Sequence, residues 1–161
     1  MRGQRAAAGH RVVLLVSALL LLLPGQARAD RGMSTNILKG LYTNWVRTTP
    51  DAGNPNLRTR TYAADAARAF ARAKEVTARM AGWKIVSKNP AAGVLKIEAR
   101  TKFMHFVDDV TIRVRAGEGG GSVVNVESRS RVGLGDFGTN ARRVSHYLEK
   151  LDETLDKNGE M

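Results

Sequence analysis

The sequence predicts an α+β fold: a single two-layer domain with a four-stranded antiparallel sheet and helices on one face, in the order α-β-β-β-β-α. Three observations predict it. Successive segments between residues 94 and 132 alternate apolar and polar side chains, the period of strands with one covered and one wet face. Residues 66–80 and 144–155 instead repeat their apolar side chains at three- and four-residue steps, as helices packed along one side do. Short hairpin-type links join the strand segments, which makes neighbours antiparallel, and both helical stripes need the same sheet face.

Along the chain, Arg2, Arg5 and Arg11 flank the start of a twelve-residue apolar run at 12–23, interrupted only by Ser17-Ala18 and followed by Pro24-Gly25. Ala27-Arg28-Ala29 then places small residues where a signal peptidase requires them. Residues 1–29 are expected to be a secretory signal peptide cleaved after Ala29. The alternative is an uncleaved anchor, but crossing the hydrocarbon core takes roughly 20 apolar residues and this run is shorter. No transmembrane span is expected after cleavage, and the destination is the periplasm or the secreted fraction. The chain has no cysteine, so neither a disulfide framework nor a lipid-modified cysteine at the cleavage site is available.

Residues 30–62 read as an N-terminal extension. Ser34 and Thr35 are candidate caps for a short helix, with Ile37, Leu38, Leu41 and Trp45 on one stripe. The amphipathic segment 34–46 suits packing on the core or contact with a membrane or partner. Its polar face is not rich in Lys and Arg, which favours the core. Pro50, Gly53 and Pro55 then punctuate a loop.

The domain proper is expected over 63–161. Asp65 is a credible N-cap for a helix whose buried stripe is Ala66, Ala69, Phe70, Ala73, Val76 and Met80. Gly82 ends it. In the first strand Trp83, Ile85 and Ser87 alternate with Lys84, Val86 and Lys88, and the Asn89–Gly93 stretch has hairpin-turn chemistry. The second strand faces Leu95, Ile97, Ala99, Thr101 and Phe103 inward. The third faces Phe106, Asp108, Val110, Ile112 and Val114 inward, with Asp109, Thr111, Arg113 and Arg115 outward. After a glycine-rich loop, the fourth turns Val124, Val126, Ser128, Ser130 and Val132 inward, and Asn125, Glu127, Arg129 and Arg131 outward. Thr139 or Asn140 caps a last helix with Val144, Tyr147, Leu148, Leu151 and Leu155 buried, ending near Lys157.

The first 29 residues hold four of the 26 basic residues and none of the 15 acidic ones, so the remainder carries 22 against 15, a net charge of +7. For an exported domain the implied partner is an anionic envelope component, a lipid headgroup or a cell-wall polymer, or an acidic protein; nucleic acid is not expected. Simple solubility accounts for the charge equally well.

Two features of the sheet and its last turn bear on chemistry. Asp108 falls on the apolar face, where a bare carboxylate costs several kcal/mol, so it demands a cation or backbone donors. Gly133, Gly135 and Gly138 spell GxGxxG between strand and helix, but a dinucleotide site needs a following parallel strand and an acidic residue about 20 positions on. Here the sheet reads antiparallel, the stretch after the motif reads as helix to near Lys157 with no parallel strand following, and the protein is expected to be exported. Asp108, Asp109, Arg131, Asp136, Asn140 and Arg143 therefore form a candidate anion-binding or structural polar network. In the structural reading Arg131 or Arg143 meets Asp108 or Asp136 while Asn140 caps the helix. In the binding reading Arg131, Arg143 and backbone donors at the turn hold an anion. A serine hydrolase would need His105 or His146 beside Ser128 or Ser130, and neither histidine sits in a nucleophile motif. A metal site from His105, Asp108, Asp109 and Asp136 lacks ligand spacing. No catalytic residue, cofactor or metal is assigned.

The stretch FVDDV (Phe106–Val110) followed by SRSRVGLGDFGTNARRV (Ser128–Val144) resembles a bacterial and plastid family, domain of unknown function 1499. The resemblance spans roughly Ala63 to Leu151. Phe106, Asp108, Asp109, Ser128, Ser130, Arg131, Gly133, Asp136, Gly138, Asn140 and Arg143 match its motif. It implies membership without a mechanism. Two departures stand out: the cysteine-containing segment that often precedes the domain is here TTPDAGNPN, and Glu127 replaces a common second arginine.

The function expected from the sequence is a non-enzymatic exported binding or structural module. The alternative is a hydrolase or an anion- or lipid-binding enzyme using Asp108, Arg131, Asp136 and Arg143. Export is checked by mass spectrometry of the mature chain, which should begin at Asp30; an exported form retaining Met1 refutes it.

Overall fold

Asp65 starts the first helix as its cap, accepting a 2.9 Å hydrogen bond from the Arg68 N–H. The computed structural model of the protein describes residues 44–102, 105–133, 136 and 138–156. Residues 1–29, read above as a signal peptide, Ile37, Leu38 and Leu41 of the expected amphipathic stripe, and Phe103, Leu134, Gly135, Phe137 and Lys157 lie outside the described residues. Helix α1 spans Ala66–Arg79 and α2 spans Thr139–Asp156. The strands are β1 Trp45–Arg47, β2 Arg60–Tyr62, β3 Trp83–Asn89, β4 Val94–Arg100, β5 Val107–Ala116 and β6 Ser122–Ser130.

The architecture is α+β with an antiparallel sheet and both helices on one face, but the sheet has six strands rather than four. Its order is β1-β6-β5-β4-β3, and β2 also pairs with β6. The added strands come from segments read as a helical stripe and a loop. Each is three residues long, too short to display alternation, and each is extended because it pairs with β6. Val46 lies opposite Ser128, and Thr61 opposite Val123. Two threonines hold the intervening loop to the same strand. Thr48 exchanges bonds with Val126, its N–H donating to the carbonyl (2.9 Å) and its hydroxyl accepting from the Val126 N–H (3.0 Å). The Thr59 hydroxyl donates to Asn125 (2.7 Å).

A β-bulge between Ile85 and Ser87 alters the expected alternation of β3. Ile85 opposes buried Ile97, but Ser87 opposes outward Lys96, so Ser87 leaves the face of Trp83 and Ile85.

The helical stripes and inward strand positions close on one another. Ala69, Phe70, Ala73 and Val76 of α1 and Val144, Tyr147, Leu148 and Leu151 of α2 are buried with Leu95, Ile97, Val110, Ile112, Val124 and Val126. Tyr147 ties the layers: its ring stacks on Trp83 at 5.3 Å between centroids, and its hydroxyl donates to the Ala73 carbonyl (3.1 Å). Burial raises that hydroxyl's pKa above the ordinary tyrosine value.

Gly93, between β3 and β4, has φ +63, and its carbonyl accepts from the Val114 N–H (2.8 Å). A Cβ there would collide with the Val114 carbonyl oxygen. Gly93→Ala combines left-handed strain with a backbone clash and should cost at least about 2 kcal/mol, read as a lower melting temperature.

Candidate functional site

Strand alternation divides the polar residues of β5 and β6 between two faces. Asp108 and Ser128 point inward and are buried; Asp109, Arg129 and Arg131 are exposed on the outside. Arg143, in the second turn of α2, reaches the inner set. Its Nη2 donates to Asp108 Oδ2 (2.6 Å), and its Nη1 donates to Ser128 Oγ (2.9 Å) and Asn140 Oδ1 (2.8 Å). The Arg143 and Asp108 side chains are only 9% and 4% exposed, so the pair is out of water.

Asn140 completes the network. Its Oδ1 also accepts from the Ser128 hydroxyl (2.6 Å), while its Nδ2 donates to the Asn44 carbonyl and to Ser130 Oγ, both at 3.0 Å. Asn140 is therefore a fully buried bridge rather than the expected helix cap. The cap belongs to Asp136, whose carboxylate accepts from the N–H of Gly138 (2.9 Å) and of Asn140 (2.8 Å). Gly138, at φ +76, permits the turn that points those donors at it. An internal carboxylate thus occupies the helix N-terminus where the binding reading put an external anion.

Outside the sheet, Arg131 Nε and Nη2 make a two-pronged contact with Asp109 (3.0 and 2.7 Å), and Nη2 also donates to Glu98 (2.9 Å). The hydrogen bond from Arg131 holds the Asp109 carboxyl below the ordinary aspartate range. In return, bonds to Asp109 and then Glu98 push Arg131 further up. Of the six candidates, Asp108, Asn140 and Arg143 converge inside, Asp109 and Arg131 pair outside, and Asp136 caps α2. Arg131 and Arg143 lie on opposite sides of the sheet and share no ligand. Asn44 and Glu98 join the two groups without having been singled out by the sequence. Glu98 was legible as an outward residue on the neighbouring strand; Asn44 contributes a backbone carbonyl, which leaves no side-chain signal.

The buried cluster has a structural chemistry. Ser128 is in contact with an amide and a guanidinium, neither of which is a base that takes its proton. His105 and His146 are exposed, and His146 sits 3.5 Å from Glu149. No group of three or more His, Asp or Glu side chains among the described residues could hold a metal ion, and no described helix is long and apolar enough to cross a membrane.

Two other surfaces carry polar character. A groove of about 700 Å³ is lined by Arg60, His146, Glu149 and Asp152 among others. In its lining Asp152 accepts from the Tyr62 hydroxyl (2.6 Å) and from Arg60 Nε (3.0 Å). Burial, then the bond to Asp152, raises the Tyr62 pKa. The second surface is the outer face of the sheet. One cross-strand row runs Lys84, Glu98, Asp109, Arg129, Trp45, and the next runs Lys96, Thr111, Glu127, Arg47. Arg47 and Arg129 flank the Trp45 ring at 5.6 and 5.9 Å from its centroid.

Fold and site together define a two-layer α+β domain whose strand–turn–helix motif is locked by a sealed polar network. The family model described as Protein of unknown function (DUF1499) matches residues 33–151, and the chain belongs to that family. Among solved structures, TTHA0849 from Thermus thermophilus is 12% identical, covering 70% of this chain and 94% of its own, with a TM-score of 0.35. Ara h 8.0201 is 13% identical, covering 62% of this chain and 95% of its own, with a TM-score of 0.33. No curated protein matches the sequence.

The two arginines should respond differently to truncation. Arg143→Ala leaves Asp108 buried without its cation and should cost about 3–5 kcal/mol. Arg131→Ala, at an exposed site, should leave the melting temperature nearly unchanged while Asp109, followed by NMR titration, moves up toward the ordinary aspartate range. Because the folded-state value is depressed, any stability from this contact is present above the ordinary aspartate range and fades as pH falls through the folded value.

Proposed function

We propose that this protein is an exported, non-enzymatic binding domain that meets an anionic component of the cell envelope through the outer face of its sheet. The observation that carries the reading is the charge of that face. Arg47, Lys84, Lys96, Arg100, Arg113, Arg115, Arg129 and Arg131 are all exposed there, against Glu98, Asp109 and Glu127. No described element packs over it, and of these eight cations only Arg131 is in an ion pair among the described residues. Unpaired cations on one face raise the local potential and concentrate polyanions at it.

The remaining features support binding over catalysis. The polar residues closest to a catalytic arrangement are sealed under α2 and occupied with one another. The basic start and apolar run at 2–23 support delivery to the envelope, where nucleic acid is not the ambient polyanion.

The test separates this face from overall charge, with dextran sulfate as the probe. Lys96→Glu with Arg113→Glu should weaken binding about tenfold or more, and wild-type binding should fall steeply as salt rises. Lys74→Glu with Arg79→Glu, the same charge change on the exposed side of α1, should have little effect. Equal losses from both pairs refute a face-specific site.

A further inference from the structure

Among the described residues, four large apolar side chains stand exposed, and three of them gather at one end of the sheet: Trp45 (40%), Phe106 (44%) and Val132 (60%). Asp108 opposite Ser130 is the last β5–β6 pair at this end. Phe106 and Val132 each sit two residues beyond it, continuing the inward stripe past the cover of the helices. Phe106 is held in place from both sides of its peptide: its carbonyl accepts from the Thr101 N–H (2.9 Å) and its N–H donates to the Thr101 hydroxyl (3.0 Å). Trp45 lies one rung back on the outer face, opposite Arg129.

Cations lie beside two of the three. Arg47 and Arg129 flank the indole, while Arg100 and Lys102 stand exposed where β4 runs out beside Phe106. We propose that this end of the sheet inserts into the interfacial layer of an anionic lipid bilayer, with Trp45, Phe106 and Val132 entering the headgroup–acyl boundary and the arginines and Lys102 contacting lipid phosphates. The inference rests on reading the basic face as an anion-binding surface and names its partner. A soluble polyanion would satisfy the cations but leave the three apolar side chains in water. A bilayer surface satisfies both, because indole and other apolar side chains gain by entering the boundary while cations gain from anionic headgroups. A guanidinium stacked on an indole sheds water more readily than a free one, which suits that depth.

The test uses the full chain and a local reporter, because residues 12–23 are apolar in their own right. Trp45 fluorescence is followed on adding phosphatidylcholine vesicles containing about 30% phosphatidylglycerol and a brominated lipid; a Trp45→Phe chain gives the separate signal of Trp83, half-buried against Tyr147. Trp45 should shift to the blue and be quenched. Phe106→Ser with Val132→Ser should weaken partitioning about tenfold or more, whereas Val86→Ser, at the exposed apolar residue of the opposite sheet edge, should not. Vesicles of phosphatidylcholine alone should give little quenching. Absence of quenching, equal quenching on the neutral vesicles, or partitioning indifferent to the double serine variant each overturns the insertion. If dextran sulfate still binds in those cases, the anion-binding reading stands and the partner is a polymer. Loss of binding to both probes overturns the two together.

Discussion

The Arg143–Asp108 pair is the contact on which the placement of the other elements depends. Removing both charges from water costs several kcal/mol each, and their attraction offsets that only when the remaining donors and acceptors also find partners. Here they do. One nitrogen of the guanidinium serves Asp108 on β5, and another serves Ser128 on β6 and Asn140 on its own helix. Asn140 then extends the network to Ser130 and to the Asn44 carbonyl just before β1. Three strands and a helix are thereby fixed in one relative position. Apolar packing of α2 would tolerate a slide along the sheet; directional bonds at its first turns do not.

The sequence was legible where a periodicity ran for several residues. The stripes of α1 and α2 and the alternation of β4, β5 and β6 appear as buried and exposed positions in the expected places, except that Phe106 and Val132, expected inward, lie beyond the strand ends and are exposed. What escaped was set by partners rather than by pattern. Strands β1 and β2 are each too short for a period, and Trp45, counted in a helical stripe, is an outward strand residue because Arg129 pairs with it. The bulge in β3 turns Ser87 outward with no local marker at all. At the site, a partner for Asp108 was foreseeable from its place among valines, but Arg143 could be preferred over Arg131 only through parity: Arg131 continues the outward series of Asn125, Glu127 and Arg129.

The same parity gives the sheet its two characters. The inner face commits its charges to one another under the helices, and the outer face leaves most of its cations with water. One short basic sequence around the glycine turn therefore serves both: Arg143 secures α2, while Arg131 gathers Asp109 and Glu98 on the opposite side. Structural and surface roles are separated by the thickness of a single sheet.

The way the sheet finishes at its sides governs how copies of the protein meet. A long, regular outermost strand offers its unpaired N–H and carbonyl groups as a template for another chain and invites edge-to-edge aggregation. On one side the nine-residue β6 is masked by two three-residue strands, with the Thr48 and Thr59 anchors between them. On the other, β3 is interrupted by its bulge, carries exposed Lys84 and Lys88, and runs into Pro90. Among the described residues neither margin presents a long straight ladder, which disfavours edge-to-edge extension by a second copy.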